Sequence, residues 1–167
     1  MTQIDSEWAF FDEELQQRFP WYTSTCLEWL NSLDLEGKRV FEYGLGHSTL
    51  WYKAKGAITF GVDNDLDWCL KVGGAQCETS FYPYVTSIEQ YDPFDIIVID
   101  GEFRDDCTVY ALENLKKGGY LIIDNYLQAS VPTNWIRTPY LIKTLPITLY
   151  KEPHHTDWCT AVITKPS

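Results

Sequence analysis

The stretch Val40-Phe41-Glu42-Tyr43-Gly44-Leu45-Gly46-His47-Ser48-Thr49 decides the fold of this chain. It reads as a short buried strand that ends near an acid, followed by a glycine turn that opens a helix. Glycine has no Cβ and accepts φ > 0, so such a turn brings bare backbone close to a ligand. The helix after it aims unpaired N–H groups at whatever is bound. Nucleotide-like cofactors use this arrangement. As a dinucleotide fingerprint it is incomplete, because Gly44-x-Gly46-x-x-Thr49 has threonine where a third glycine would stand. A plain strand-to-helix corner is the alternative reading.

Working outward, strand and helix alternate, which predicts an α/β fold with a mostly parallel sheet. Before the turn, Asp12-Glu13-Glu14 marks an early helix that Pro20 ends, and Thr25-x-x-Glu28 has capping-box spacing for a second helix. The first strand is Arg39 to Tyr43, and the helix after the turn runs from about Ser48 to Lys55. Strand two, Ile58 to Val62, stops at Asp63, and Asp65 can cap the helix that follows up to Gly73-Gly74. A weak strand is expected near Phe81 to Val85. Phe94 to Ile99 is an almost continuous apolar run ending at Asp100, as in strands buried on both faces. A helix from Arg104 to Leu115 is stopped by Gly118-Gly119, and strand five is Tyr120 to Ile123, ending at Asp124-Asn125. Pro132 and Pro139 forbid one long helix beyond it. Two tail strands, Ile147 to Lys151 and Thr160 to Thr164, are joined by Glu152 to Trp158.

The chain has 167 residues, enough for one domain with a real core. Its parts are N-terminal helices over 1–36, a cofactor-binding core over 38–125, and a C-terminal connection with two strands over 126–167. Lys plus Arg number 13 against 24 Asp plus Glu, a net charge of -11 with no basic stripe, so no nucleic-acid partner is expected. Five scattered cysteines without a C-x-x-C pair argue against a disulfide scaffold or a structural zinc site, and favour a reducing, cytoplasmic setting. Met1 to Asp5 shows no secretory signal, and no apolar run approaches the length of a membrane span, so no membrane partner is expected.

Glu42-Tyr43-Gly44-Leu45-Gly46-His47-Ser48 resembles the first motif of class I S-adenosylmethionine-dependent methyltransferases, an acid followed by a GxG turn. Asp63, about 20 residues on at the end of strand two, stands where an acid accepts both hydroxyls of a ribose. It also matches the ribose-binding acid of that family. Phe94 to Gly101, and Leu115 through Asn125, are similar to the family's fourth strand, fourth helix and fifth strand. The resemblance runs in order from about Lys38 to Asn125. It implies a Rossmann-like three-layer sandwich with a seven-stranded, mostly parallel sheet whose last strand is antiparallel. It also implies methyl transfer from S-adenosylmethionine to a small-molecule oxygen or nitrogen, with a homodimer as an admissible assembly. Glu42, Gly44, Gly46, His47, Ser48, Asp63, Asn64 and Asp100 are then the candidate cofactor-binding residues. An NAD(P)-dependent oxidoreductase and a non-catalytic protein that kept the fold are the alternatives.

Three further features carry chemistry. Asp100, Asp124 and Asn125, at the ends of neighbouring strands, could supply oxygen ligands to Mg²⁺ or another divalent cation. That pattern is similar to metal-dependent catechol-type O-methyltransferases, except that Phe103 stands where those enzymes carry a lysine. The other reading has Asp100 contacting the cofactor or capping its loop. His154 and His155 lie in the tail connection and could act as a general base, alongside Asp100 at the acceptor; a solvated hairpin tip is the plainer reading. His47 reads as a turn residue beside the cofactor. Trp8, Phe10, Phe11, Trp21, Tyr22 and Trp29 make the N-terminus aromatic, either as packing against the sheet or as a lid over the site, where Thr23 and Ser24 could touch the cofactor carboxylate.

Overall fold

In the computed structural model, residues 19–73, 75–128 and 135–167 are described. The expectations for Asp12-Glu13-Glu14, for Trp8, Phe10 and Phe11, and for Gly74 and Pro132 lie outside the described residues. The elements are α1 (Ser24–Asn31), β1 (Arg39–Tyr43), α2 (His47–Ala54), β2 (Ile58–Asp63), α3 (Leu66–Val72), β3 (Gln76–Cys77), α4 (Phe81–Thr86), β4 (Phe94–Ile99), α5 (Arg104–Asn114), β5 (Leu115–Ile123), α6 (Arg137–Ile142), β6 (Ile147–Glu152) and β7 (His155–Thr164). A 3₁₀ turn, Ser87–Gln90, follows α4.

The seven strands form one sheet in the order β3-β2-β1-β4-β5-β7-β6. Neighbours from β3 to β5 pair in parallel, while β7 runs antiparallel to both β5 and β6. This is the Rossmann-like sheet the resemblance implies. The alternation of side chains along each strand feeds two separate cores. Phe41, Tyr43, Ile97, Ile99, Leu121 and Ile123 pack with Tyr84, Ile88, Cys107, Ala111 and Ile142 from α4, the 3₁₀ turn, α5 and α6. Val40, Ile96, Val98 and Ile122 point the other way and pack with Tyr22, Cys26 and Leu30 around α1 and with Trp51 and Tyr52 of α2. A sheet apolar on both faces has to be covered on both, and the helices divide accordingly.

Four local expectations are corrected. Phe81 to Val85 is helical in α4, not a strand. Its β-branched and aromatic residues suggested extended chain, but Pro83 falls in the first turn, where a missing N–H costs nothing, and Tyr84 and Ile88 share one buried face. Gly118-Gly119 do not stop a helix. Helix α5 ends at Asn114, and β5 starts at once, with Lys116 to Gly119 bulging between the Phe94–Leu115 and Ile96–Tyr120 pairs. There Lys116 Nζ binds Asp95 Oδ2 at 2.9 Å in place of a helix end. Thr25 does not cap α1; Thr23 takes the cap position and Thr25 Oγ1 donates to the Lys151 carbonyl. The long tail connection shrinks to a turn at Pro153 and His154, because β6 and β7 pair as far as Glu152 and His155.

Candidate active site

The register of the parallel strands sets four acids on one rim. Gly61, Glu42, Val98 and Ile122 lie side by side across β2, β1, β4 and β5. One pleat further toward the carboxyl ends come Asp63, Gly44, Asp100 and Asp124. Three backbone bonds continue the sheet to that level: Gly44 N donates to Val62 O, Asp100 N to Tyr43 O, and Asp124 N to Ile99 O. Open α/β sheets place ligands outside this edge.

The two glycines of the turn differ in what they do. Gly44 has φ 92°, and a Cβ there would lie 2.6 Å from Gly101 N, so the β1 turn and the β4 turn pass backbone against backbone. Gly46 has extended backbone, and a Cβ on it would meet nothing within 4 Å. It faces open space at the N-terminus of α2. No side chain caps that helix start; Thr49 Oγ1 instead accepts from Gly46 N at 3.2 Å. The half-buried Ser48 stands in the first turn. The His47 ring meets Trp68 edge-on at 5.0 Å, and burial together with Lys71 lowers its pKa, so this histidine packs against α3.

Glu42 is fully buried, and neither carboxylate oxygen makes a hydrogen bond of full geometry among the described residues. Burial pushes its pKa up to about 7; the Ser48 and Thr49 hydroxyls and Lys53 pull the other way, and Asp100 adds to the rise. The hydroxyls of Tyr22 and Tyr52 are buried close to the same charge. A buried carboxylate without a cation is costly, and among the described residues none makes an ion pair with Glu42, so the group is open to a cationic ligand.

Asp63 holds the turn from the side. Its Oδ2 accepts from Leu45 N at 2.6 Å and its Oδ1 from Asp65 N at 2.8 Å. Each oxygen keeps a second lone pair for a ligand. Asn64 is exposed on the same turn. Asp65 caps α3 as its sequence suggests, accepting from Asp67 N and Trp68 N.

Beyond Gly44 the rim is organised by Arg104, which the sequence reading left out of the site. Arg104 Nη2 donates to Asp100 Oδ1 at 3.0 Å and to Asp100 O at 2.9 Å. Its Nη1 reaches Asp124 O at 2.8 Å and Asn125 Oδ1 at 3.3 Å, and its Nε reaches Gly101 O at 3.0 Å. Burial raises the Asp100 pKa to about 6 against the pull of Arg104. The Asp124 carboxylate turns inward, accepting from Thr160 Oγ1 at 2.6 Å, and burial with the nearby Asp100 charge raises its pKa to about 8. The three residues expected as metal ligands, Asp100, Asp124 and Asn125, do meet at this rim, around Arg104. Their oxygens serve a guanidinium and a core hydroxyl, and among the described residues no group of three or more His, Cys, Asp or Glu is placed to hold a metal ion.

His154 and His155 sit at the β6–β7 turn on the same edge of the sheet. Strand β6 is three positions from β4, about 14 Å at ordinary strand spacing, so the register does not bring them beside Asp100. Thr23 and Ser24 find partners in this tail. Thr23 N donates to Thr160 Oγ1 at 3.1 Å, and Glu152 accepts from Ser24 N at 2.7 Å and from Ser24 Oγ at 3.2 Å. Glu152 thus caps α1 from far along the chain, which no local spacing could reveal. Tyr22 is buried and Trp29 packs on Tyr120 and Tyr150, as the packing reading of the aromatic N-terminus has it, while Trp21 is largely exposed.

No protein-family profile matches the sequence, nor does any curated protein. Solved structures do match in fold. One is the 16S rRNA methyltransferase RsmC of T. thermophilus in complex with AdoMet and guanosine, with 19% identity, a TM-score of 0.57, and 85% of this chain aligned to 43% of that one. Another is the O-methyltransferase TomG of Streptomyces achromogenes in complex with SAM, with 13% identity, a TM-score of 0.56, and coverage of 78% and 74%. A third is an rRNA methylase of Streptococcus thermophilus, with 13% identity, a TM-score of 0.51, and coverage of 82% and 91%. The expectation of no nucleic-acid partner is overturned here, since two of these three are rRNA methylating proteins. Net charge describes the whole surface, whereas an acceptor base is read in one cleft by its edges and faces. Among the described residues no helix is long and apolar enough to cross a membrane. The strand order, the antiparallel β7 and the glycine turn after β1 together give this chain the fold of the class I S-adenosylmethionine-dependent methyltransferases.

Proposed function

We propose that the protein binds S-adenosylmethionine at the β1–β2–β4 rim and catalyses methyl transfer to an oxygen or nitrogen nucleophile. Small molecules and nucleobases both carry such atoms. The observation that carries this reading is the carboxylate of Glu42, buried and unpaired among the described residues, beside the open start of α2. Among the described residues Glu42 has no cationic partner, and an ammonium group would supply one. The uncapped N–H groups at His47 and Ser48 suit a carboxylate, and the free lone pairs of Asp63 suit a pair of ribose hydroxyls. S-adenosylmethionine carries all three groups and supplies a methyl on a sulfonium centre. A nicotinamide dinucleotide has neither the ammonium nor the carboxylate.

The chain's own residues would bind, align and exclude water. Asp63 fixes the loop through Leu45 and Asp65, so ligand and turn are held by one carboxylate. Asp100 borders the position of the acceptor. Alignment of nucleophile, carbon and leaving sulfur is the main contribution a protein can make to such a displacement. The test is formation of S-adenosylhomocysteine from S-adenosylmethionine, followed by mass spectrometry with pooled phenols, amines and nucleosides as acceptors. Product above the no-enzyme rate with any acceptor supports the reading. Cofactor binding without turnover across the panel favours the protein that kept the fold as a binding surface.

A further inference from the structure

A guanidinium has five N–H donors in one plane. At Arg104 all five are used, and every acceptor is an oxygen from the ends of β4 or β5. Two of these oxygens, Asp100 Oδ1 and Asn125 Oδ1, are side-chain atoms that would otherwise ligate a hard cation, and three are backbone carbonyls. The side chain is only 13% exposed. Two residues on either side of the contact, Phe103 and Asn125, have left-handed backbone with φ 51° and 52°. Non-glycine residues adopt that conformation at a cost, and it persists where the surroundings fix it. Arg104 opens α5 immediately after Phe103, and its guanidinium reaches across to Asn125.

We infer that Arg104 is the resident cation of this rim. It stands where a divalent metal would stand, positions Asp100 and the two turns, and makes cofactor binding and methyl transfer independent of added metal. Because no donor is left over, Arg104 does not itself hold the acceptor; it acts through the oxygens it gathers. The cofactor part of this inference rests on the function proposed above, while the cation part does not.

The experiment uses the full chain and Mn²⁺ as the probe, with electron paramagnetic resonance to count free ion and calorimetry to measure S-adenosylhomocysteine binding. Wild-type protein is expected to leave the Mn²⁺ spectrum that of free ion, and to bind S-adenosylhomocysteine equally with EDTA or Mn²⁺ present. The Arg104→Ala variant exposes the oxygens. It should bind Mn²⁺, lose about tenfold or more in cofactor affinity, as loss of charged hydrogen bonds does, and regain part of it when Mn²⁺ is added. Arg104→Lys keeps the charge with three donors, and should exclude Mn²⁺ with intermediate affinity. Bound Mn²⁺ in the wild type, or a cofactor affinity that EDTA abolishes, would overturn the inference. So would an Arg104→Ala protein with no Mn²⁺ binding. If Arg104→Ala does not fold, Arg104→Lys and the wild-type spectrum still decide. If the wild type binds no S-adenosylhomocysteine, the functional reading fails, and the Mn²⁺ spectra still decide the cation.

Discussion

Gly44 and Gly101 stand back to back: a Cβ on Gly44 would lie 2.6 Å from Gly101 N, and one on Gly101 would lie 2.7 Å from Gly44 N. The contact locks the turn after β1 to the turn after β4. Gly46, two residues on, touches nothing that a methyl group would disturb. Two alanine substitutions should therefore separate folding from binding. Gly44→Ala combines overpacking with a disfavoured positive φ and should cost about 3 kcal/mol, or roughly 10 °C in Tm. Gly46→Ala should leave Tm within about 2 °C while cofactor affinity falls at least about tenfold. Differential scanning calorimetry and ligand titration check the pair; the idea is lost if Gly46→Ala binds as the wild type does.

Glu42 ties stability to function with opposite signs. Its folded pKa, raised to about 7, lies above the ordinary carboxylate value, so the folded state holds its proton more tightly than the unfolded chain does. Stability of the ligand-free protein from this group is fully present below the unfolded pKa and is lost as pH rises from there to about 7. Asp100 and Asp124, raised to about 6 and about 8, act in the same direction. Glu42→Gln should raise the Tm of the ligand-free protein at pH 8, by the equivalent of about 2–3 kcal/mol, and should weaken cofactor binding. Wild-type affinity should rise with pH up to about 7 as the carboxylate ionises, and the variant should lose that dependence. A Gln variant that is less stable and binds equally well would remove Glu42 from the account.

Asp63 is expected to matter through both its backbone partners and its ligand. Asp63→Ala leaves Leu45 N and Asp65 N without their acceptor and should reduce cofactor affinity about 10–100-fold. Asp63→Asn keeps one acceptor oxygen and should fall between. Calorimetry on both variants, with thermal melts to confirm folding, gives the answer; equal affinity across the three proteins would contradict the assignment.

Much of this was readable in the chain. The end of β1 follows from the glycine turn after Tyr43, that of β4 from an apolar run closed by Asp100, and the capping role of Asp65 from its place before an apolar periodic segment. Seven strands with one antiparallel came from the family resemblance that the motifs carry together, not from the residues of any one strand. What failed did so for local reasons. Phe81 to Thr86 has strand-like composition but packs one helical face on the sheet, so tertiary context overrode propensity. Lys116 to Gly119 looks like a helix end, yet the strand resumes around the bulge because Lys116 has Asp95 to pair with. Arg104 was hidden because its significance depends on five acceptors from two distant turns. Glu152 was hidden because its partner lies 128 residues away.

Glu152 gives a prediction about folding alone. Replacing it with Ala removes the acceptor for Ser24 N and Ser24 Oγ and should cost about 1–2 kcal/mol in urea unfolding, the usual range for losing a helix cap. Cofactor affinity in the folded variant should change by less than about threefold, because the cap lies on the β6 side of the sheet. A large loss of affinity with stability unchanged would place Glu152 in the site instead.

The central claim is a cradle for an adenosyl amino acid between Glu42, Gly46 and Asp63. Calorimetric titration of the intact protein with S-adenosylhomocysteine tests it most directly, with NAD⁺ under the same conditions as the comparison. The account predicts saturable one-to-one binding of S-adenosylhomocysteine that Gly46→Ala weakens at least about tenfold, and no heat with NAD⁺. Silence with S-adenosylhomocysteine, or saturable binding of NAD⁺ in its place, would contradict it.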